Sequence, residues 1–171
     1  MRKYKAFIIL LLIPFISLAQ SGVLEWAHSA GNAQDITRGN DIATDSNGNV
    51  YTIGEFRNDV DFDPSDNDFT MSTNGGIDIF IQKLDSNGNF IWAKHVGGDG
   101  NDVGSSIATD GNNNIYITGF FVDIADFDPG PTTFNLTNDG LGKNTFVLKL
   151  DQNGNFIWAK KVGASGADYV Y

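Results

Sequence analysis

Apolar residues along this chain fall in short runs rich in β-branched and aromatic side chains. Examples are Val50-Tyr51-Thr52-Ile53, Ile115-Tyr116-Ile117-Thr118 and Phe146-Val147-Leu148-Lys149-Leu150. Such side chains suit a pleated, half-buried surface, so each run predicts a strand. Between the runs stand clusters of Asp, Asn and Gly. Asp45–Asn49 and Asp85–Asn89 read D-S-N-G-N, Asp151–Asn155 reads D-Q-N-G-N, and Asp110–Asn114 reads D-G-N-N-N. An Asn-Gly pair is expected to supply the two positive-φ residues of a tight hairpin turn. At Asn113, where Gly is replaced, Asn is the next residue best able to adopt that conformation. In Phe90–Lys94, strict alternation places Phe90 and Trp92 on one face and Ile91 and Ala93 on the other. Both faces are apolar, which suits a strand buried between neighbouring sheets. The Ala beside the Trp is expected to let the next sheet approach.

The pattern repeats. Trp26, Trp92 and Trp158 recur every 66 residues, each followed by Ala. Ile42–Gly54 matches Ile107–Gly119, and Val60–Pro64 (VDFDP) matches Ala125–Pro129 (ADFDP), both at an offset of 65. Between Asp85–Asp102 and Asp151–Asp168, 13 of 18 positions are identical. A period this constant identifies a repeat architecture. Each unit holds two hairpins, hence four strands, with units at about residues 33–98 and 99–164. The long connectors, Arg57–Gly76 and Asp123–Gly142, read as a loop with one edge strand. The expected fold is all-β: β-propeller-type repeats, about two four-stranded antiparallel blades of a larger or incomplete propeller. Two such blades alone leave large apolar faces in water. The reading therefore expects either truncation at the C-terminus or closure by self-association.

Composition changes this picture in two places. Arg2, Lys3 and Lys5 precede the apolar run Ala6–Phe15, and Ser17-Leu18-Ala19 offers small residues for cleavage. This predicts a signal peptide over residues 1–19, export to the cell surface or medium, and no membrane insertion after cleavage. Removing it takes away three cations and no acids, so the net charge moves from −10 to −13. That acidity excludes nucleic acid as a partner and is compatible with divalent cations. There is no Cys, so disulfides do not hold the fold.

The stretches SIATDGNNNIYITGFF, DIFIQKLDSNGNFIWAKHVGG and VDFDP resemble the SBBP-type repeat proteins, the β-propeller repeat family of bacterial exported proteins. The resemblance covers Gly22–Tyr171 and implies a propeller fold and export. It implies no catalytic residue.

Candidate chemistry centres on the acidic connectors. Asp61, Asp63 and Asp66, and in the second copy Asp126 and Asp128, place oxygen ligands at nearly alternate positions, as calcium loops do. The sharp-turn Gly and distal Glu of an EF-hand are missing, and Asx-turns are the competing reading. The turn acids Asp45, Asp85, Asp110 and Asp151 read as turn formers. His28 and His95 read as solvated strand ends, because Lys161 replaces His95 in the next copy. No spacing suggests zinc, and Ser105-Ser106 lacks a nucleophile context. The sequence thus points to a non-catalytic exported module that binds extracellular protein or glycan. The alternatives are a propeller hydrolase acting on polysaccharide through paired carboxylates, and a non-functional fragment of a larger repeat protein.

Overall fold

The computed structural model describes residues 25–29, 36–138, 140 and 142–163; the predicted leader lies outside them. Among the described residues there are twelve strands and no helix. In chain order they are β1 (Ile36–Thr44), β2 (Val50–Arg57), β3 (Asp59–Asp61), β4 (Thr70–Ser72), β5 (Asp78–Leu84), β6 (Phe90–Gly98), β7 (Val103–Thr109), β8 (Ile115–Phe121), β9 (Ile124–Asp126), β10 (Asn135–Thr137), β11 (Asn144–Leu150) and β12 (Phe156–Val162). β1-β2-β5-β6 form one antiparallel meander and β7-β8-β11-β12 another. The architecture is therefore all-β, with four-stranded antiparallel sheets as the repeating element.

The four turns share one construction, and it differs from the expected one. Only the fourth residue of each has positive φ: Gly48 at 79°, Gly88 at 83°, Gly154 at 78° and Asn113 at 61°. Asn47, Asn87, Asn112 and Asn153 do not. Each loop therefore has three residues ending in a left-handed one, in place of a two-residue turn. The leading Asp sets this geometry. Asp45 Oδ1 accepts the N–H groups of Asn47 and Asn49, and its Oδ2 accepts the Asn49 side-chain amide. The same three bonds recur at Asp85, at Asp110 and at Asp151.

The outer strands also depart from strict alternation. Leu84 pairs with Phe90 but Lys83 pairs with Trp92, so Ile91 is an extra, bulged residue. Phe90 and Trp92 consequently lie on opposite faces, and Ile91 is 44% exposed. The second copy does the same, with Leu150–Phe156 and Lys149–Trp158 pairs around an exposed Ile157. A one-residue bulge inverts the facing of everything beyond it.

Each connector is a two-stranded hairpin, one strand more than expected. Its DFDP segment explains why. Asp61 Oδ1 accepts the N–H groups of Asp63 and Phe69, which closes the loop. Phe62 is fully buried, its ring 5.3 Å from Phe56 and 4.9 Å from Phe80, and pins the hairpin to its own sheet. Phe127 repeats this against Phe121 and Phe146. Ala93 packs in the cluster of Phe56, Phe62 and Phe80, so the small residue after Trp makes room for the connector's Phe, not for the next sheet.

The two sheets are held face to face. Tyr51, Ile53, Ile79, Ile81 and Val96 of the first sheet join Ile107, Ile115, Ile117, Phe146, Leu148 and Leu150 of the second in one buried cluster. Along β1 and β7 the contact is polar. Asn40, in a bulge, donates to Gly104 O, and Asp41 Oδ2 accepts both Ser106 Oγ at 2.6 Å and Ile107 N at 2.9 Å. At the outer end β9 pairs with β6 through Gly97–Asp126 and Gly98–Ala125, which stitches the second connector to the first sheet. The Trp rings lie on the following turn: a Cβ on Gly154 would come 3.3 Å from Trp92 Cζ2, and one on Gly88 2.8 Å from Trp26 Cδ2.

The approach of the sheets at Gly104 tests this packing. A Cβ at Gly104 would lie 2.4 Å from Ile53 Cγ1. Gly104→Ala is expected to lower the unfolding free energy by about 1–3 kcal/mol, as overpacking does. Urea denaturation reads the change, and an unshifted midpoint would contradict the stacking described.

Candidate functional site

The predicted calcium ligands do not converge. Asp61 and Asp63 lie in the first connector, and Asp66 is exposed in its loop; Asp126 and Asp128 lie in the second connector. Among the described residues no group of three or more His, Cys, Asp or Glu side chains stands together in a way that could hold a metal ion. Four of the five already accept donors. Asp63 Oδ1 takes Ser65 N, Asp126 Oδ1 takes Asp128 N and Phe134 N, and Asp128 takes Gly130 N and the Thr132 hydroxyl. These are Asx-turns, the local bonds that short acids make in loops.

The turn acids are likewise part of the frame. At Asp85 and Asp110 the amides of Asn89 and Asn114, then the backbone donors, hold the carboxyl below its usual range; Asp110 falls to about 2. At Asp45 and Asp151 burial pushes upward, and the same set of bonds outweighs it. Asp45 has a second role. Its Oδ2 accepts Tyr51 Oη at 3.0 Å and lies 3.8 Å from Lys83 Nζ, which donates to Gln152 O of the second sheet at 3.0 Å. The copy on the second sheet, Asp110, Tyr116 and Lys149, is assembled the same way on the outward face.

The sequence reading missed a buried acid pair. Asp78 and Asp102 are both fully buried. Asp78 Oδ2 accepts Asn74 N at 2.7 Å and sits 2.7 Å from His95 Nε2, while its Oδ1 has no hydrogen-bond partner. Asp102 accepts Gly98 N and Val122 N, tying β6 to the end of β8. Burial pushes Asp102 up to about 7, against the pull of those two N–H groups, and the nearby Asp78 adds to the rise. His95 is thus half-buried and held by a carboxylate, where a solvated strand end was expected. The available signal was joint replacement: the second copy has Asn144 for Asp78 and Lys161 for His95, so acid and base change together.

His95 borders a groove of about 380 Å³ between the two connectors. Phe69 and Met71 form one wall, Asp126, Asp128, Pro129 and Gly130 the other, and Ala93, Lys94, His95 and Gly97 of β6 the floor.

The fold and its contacts define a class: an all-β protein made of stacked, repeated four-stranded antiparallel sheets. The family model described as "Beta-propeller repeat" (SBBP) matches residues 25–55 and 91–119. Each match runs from a Trp segment into the first hairpin of the following sheet, so the family's repeat spans a sheet boundary. A curated relative, an uncharacterized WD repeat-containing protein of Acanthamoeba polyphaga mimivirus, is 31% identical over 122 residues. That match takes in 63% of this chain and 9% of the relative.

Two outcomes check these assignments. Asp102 holds a proton when folded that the unfolded chain has lost, between its ordinary value of 3.8 and about 7. Its contribution to stability therefore falls as pH rises through that window, by at most about 1.4 kcal/mol per pH unit. The depressed turn acids contribute above their unfolded values and lose that contribution as pH falls toward about 2. Urea midpoints are expected to peak near pH 4–5, roughly, and Asp102→Asn is expected to flatten the alkaline side. A midpoint independent of pH above the peak would refute the assignment. Second, because the connector acids are engaged within their own loops, EDTA is expected to leave the melting temperature unchanged. A drop reversed by added calcium would restore the calcium reading.

Proposed function

We propose that this chain is an exported, non-catalytic β-propeller repeat module that binds protein or glycan outside the cell. The observation that carries the reading is where the acids are spent. Asp45, Asp85, Asp110 and Asp151 hold turns, Asp61 and Asp126 hold connectors, and Asp41 joins the sheets. Repeated carboxylates committed to the frame are poor candidates for acid–base work, which requires a free, positioned carboxyl group. The groove between the connectors, where the two copies differ, is a surface left for recognition. Export rests on the charged and apolar N-terminal stretch.

The outward face of the second sheet supports a partner of the same kind. Tyr116, Lys149 and Trp158 there correspond to Tyr51, Lys83 and Trp92, the residues with which the first sheet meets its neighbour. On this reading a further sheet of the repeat, from a longer chain or from a second copy, covers that face.

Expression in a secreting bacterium tests export: mature protein recovered outside the cell is expected to begin at Gln20. Retention in the cytosol with Met1 intact would remove localisation from the proposal. Incubating the secreted protein with polysaccharides tests the other half, since released reducing ends would point to the hydrolase instead.

A further inference from the structure

We propose that the groove between the connectors is a binding site for a neutral polysaccharide, one or two sugar rings at a time. The inference rests on the reading of the chain as an extracellular binding module and names its site and ligand class.

The groove has both halves of the chemistry a sugar ring requires. Its volume, about 380 Å³, lies near the low end of the roughly 300–1,000 Å³ range of small-molecule sites. Phe69, 39% exposed, and the half-buried Met71 offer an apolar wall for the C–H face of a pyranose. The opposite wall offers acceptors for hydroxyl hydrogens. Asp126 makes both of its backbone bonds through Oδ1, which leaves Oδ2 facing no internal donor. The floor adds the second ring nitrogen of His95, whose Nε2–H donates to Asp78, as an acceptor for a further hydroxyl hydrogen. Beneath Gly97 lies Asp78 Oδ1, fully buried and without a partner; a Cβ on Gly97 would come within 2.5 Å of it. A glycine there leaves the Asp78 carboxylate the room to sit under the floor and hold His95.

The walls are held apart by frame contacts, not by side chains that a ligand must first order. Phe62 pins one connector, and the β9–β6 pairing fixes the other. Preformed walls lower the ordering cost of binding. Charge selects among glycans: two carboxylates in one wall of a chain of net charge −10 disfavour uronic or sulfated polymers. The cavity of about 300 Å³ under Trp26 is a weaker candidate. It lies on Ile42, Val50 and Leu84, whose counterparts Ile107, Ile115 and Leu150 are buried against a neighbouring sheet.

Affinity electrophoresis of the full chain through gels containing β-glucan, mannan or xylan tests the site. Retardation by at least one neutral polymer is expected. Phe69→Ala and Asp126→Asn should each weaken it by about tenfold or more, with melting temperatures near wild type. Asp126→Asn keeps an oxygen for the Asp128 and Phe134 N–H groups, so its loop is preserved. Lys160→Ala, on β12 outside the groove, should bind as wild type does. Retardation that survives both groove variants would overturn the site while leaving a glycan binder. No retardation by any neutral polymer would overturn the proposal, and capture of a defined surface protein would then keep the broader reading alone. Binding accompanied by cleavage would instead overturn the non-catalytic reading.

Discussion

A sheet that is apolar on both faces cannot stand alone in water, and everything else in this chain follows from that constraint. The first sheet meets it by placing Ile53, Ile79 and Ile81 against Ile117, Leu148 and Leu150 of the second. Its opposite face is met from within, by Phe62 of its own connector. The two solutions set the length of the repeat: four strands to make two faces, and a hairpin with one buried Phe to cover part of what the neighbour leaves. Gly104 on β7 follows too, since it sits where a Cβ would strike Ile53 of the first sheet.

The sequence made the frame legible because its signals are local. D-x-N-G-N marks a turn wherever it occurs, and a 66-residue spacing of Trp marks a unit. The misreadings also have local causes. The turn type was misjudged because the final Asn was not weighed: its amide grips the leading carboxylate, and the loop settles at three residues. The facing of Trp92 was misjudged because a bulge has no periodic signature; Ile91 resembles any other apolar strand residue. The connector hairpin was half visible. DFDP gave the turn, but the burial of Phe62 and Phe127 depends on partners many residues away.

The site was the least legible part, for a different reason. Comparing copies one position at a time treats Lys161 as proof that His95 is free. The structure places the two in different settings. His95 lies against Asp78, whereas Asn144 stands at the corresponding place and Lys161 donates to Thr137 O. The imidazole has a carboxylate for its Nε2 and the ammonium a backbone carbonyl, so each copy gives its base a partner of a different kind. Reading positions in pairs would have exposed the acid–base unit.

This distinction bears on where recognition can arise in a repeat protein. Residues that build the stacking are held by symmetry: changing one Asp of D-x-N-G-N costs a turn in any copy. Residues at the junction of two connectors have no such duty, because the β9–β6 pairing already fixes the backbone through Gly97 and Gly98. Asp128-Pro129-Gly130 can then differ from Asp63-Pro64-Ser65, and His95 from Lys161, without disturbing a sheet. A groove between consecutive connectors combines a rigid frame with side chains free to vary, the combination that binding surfaces on repeat scaffolds require.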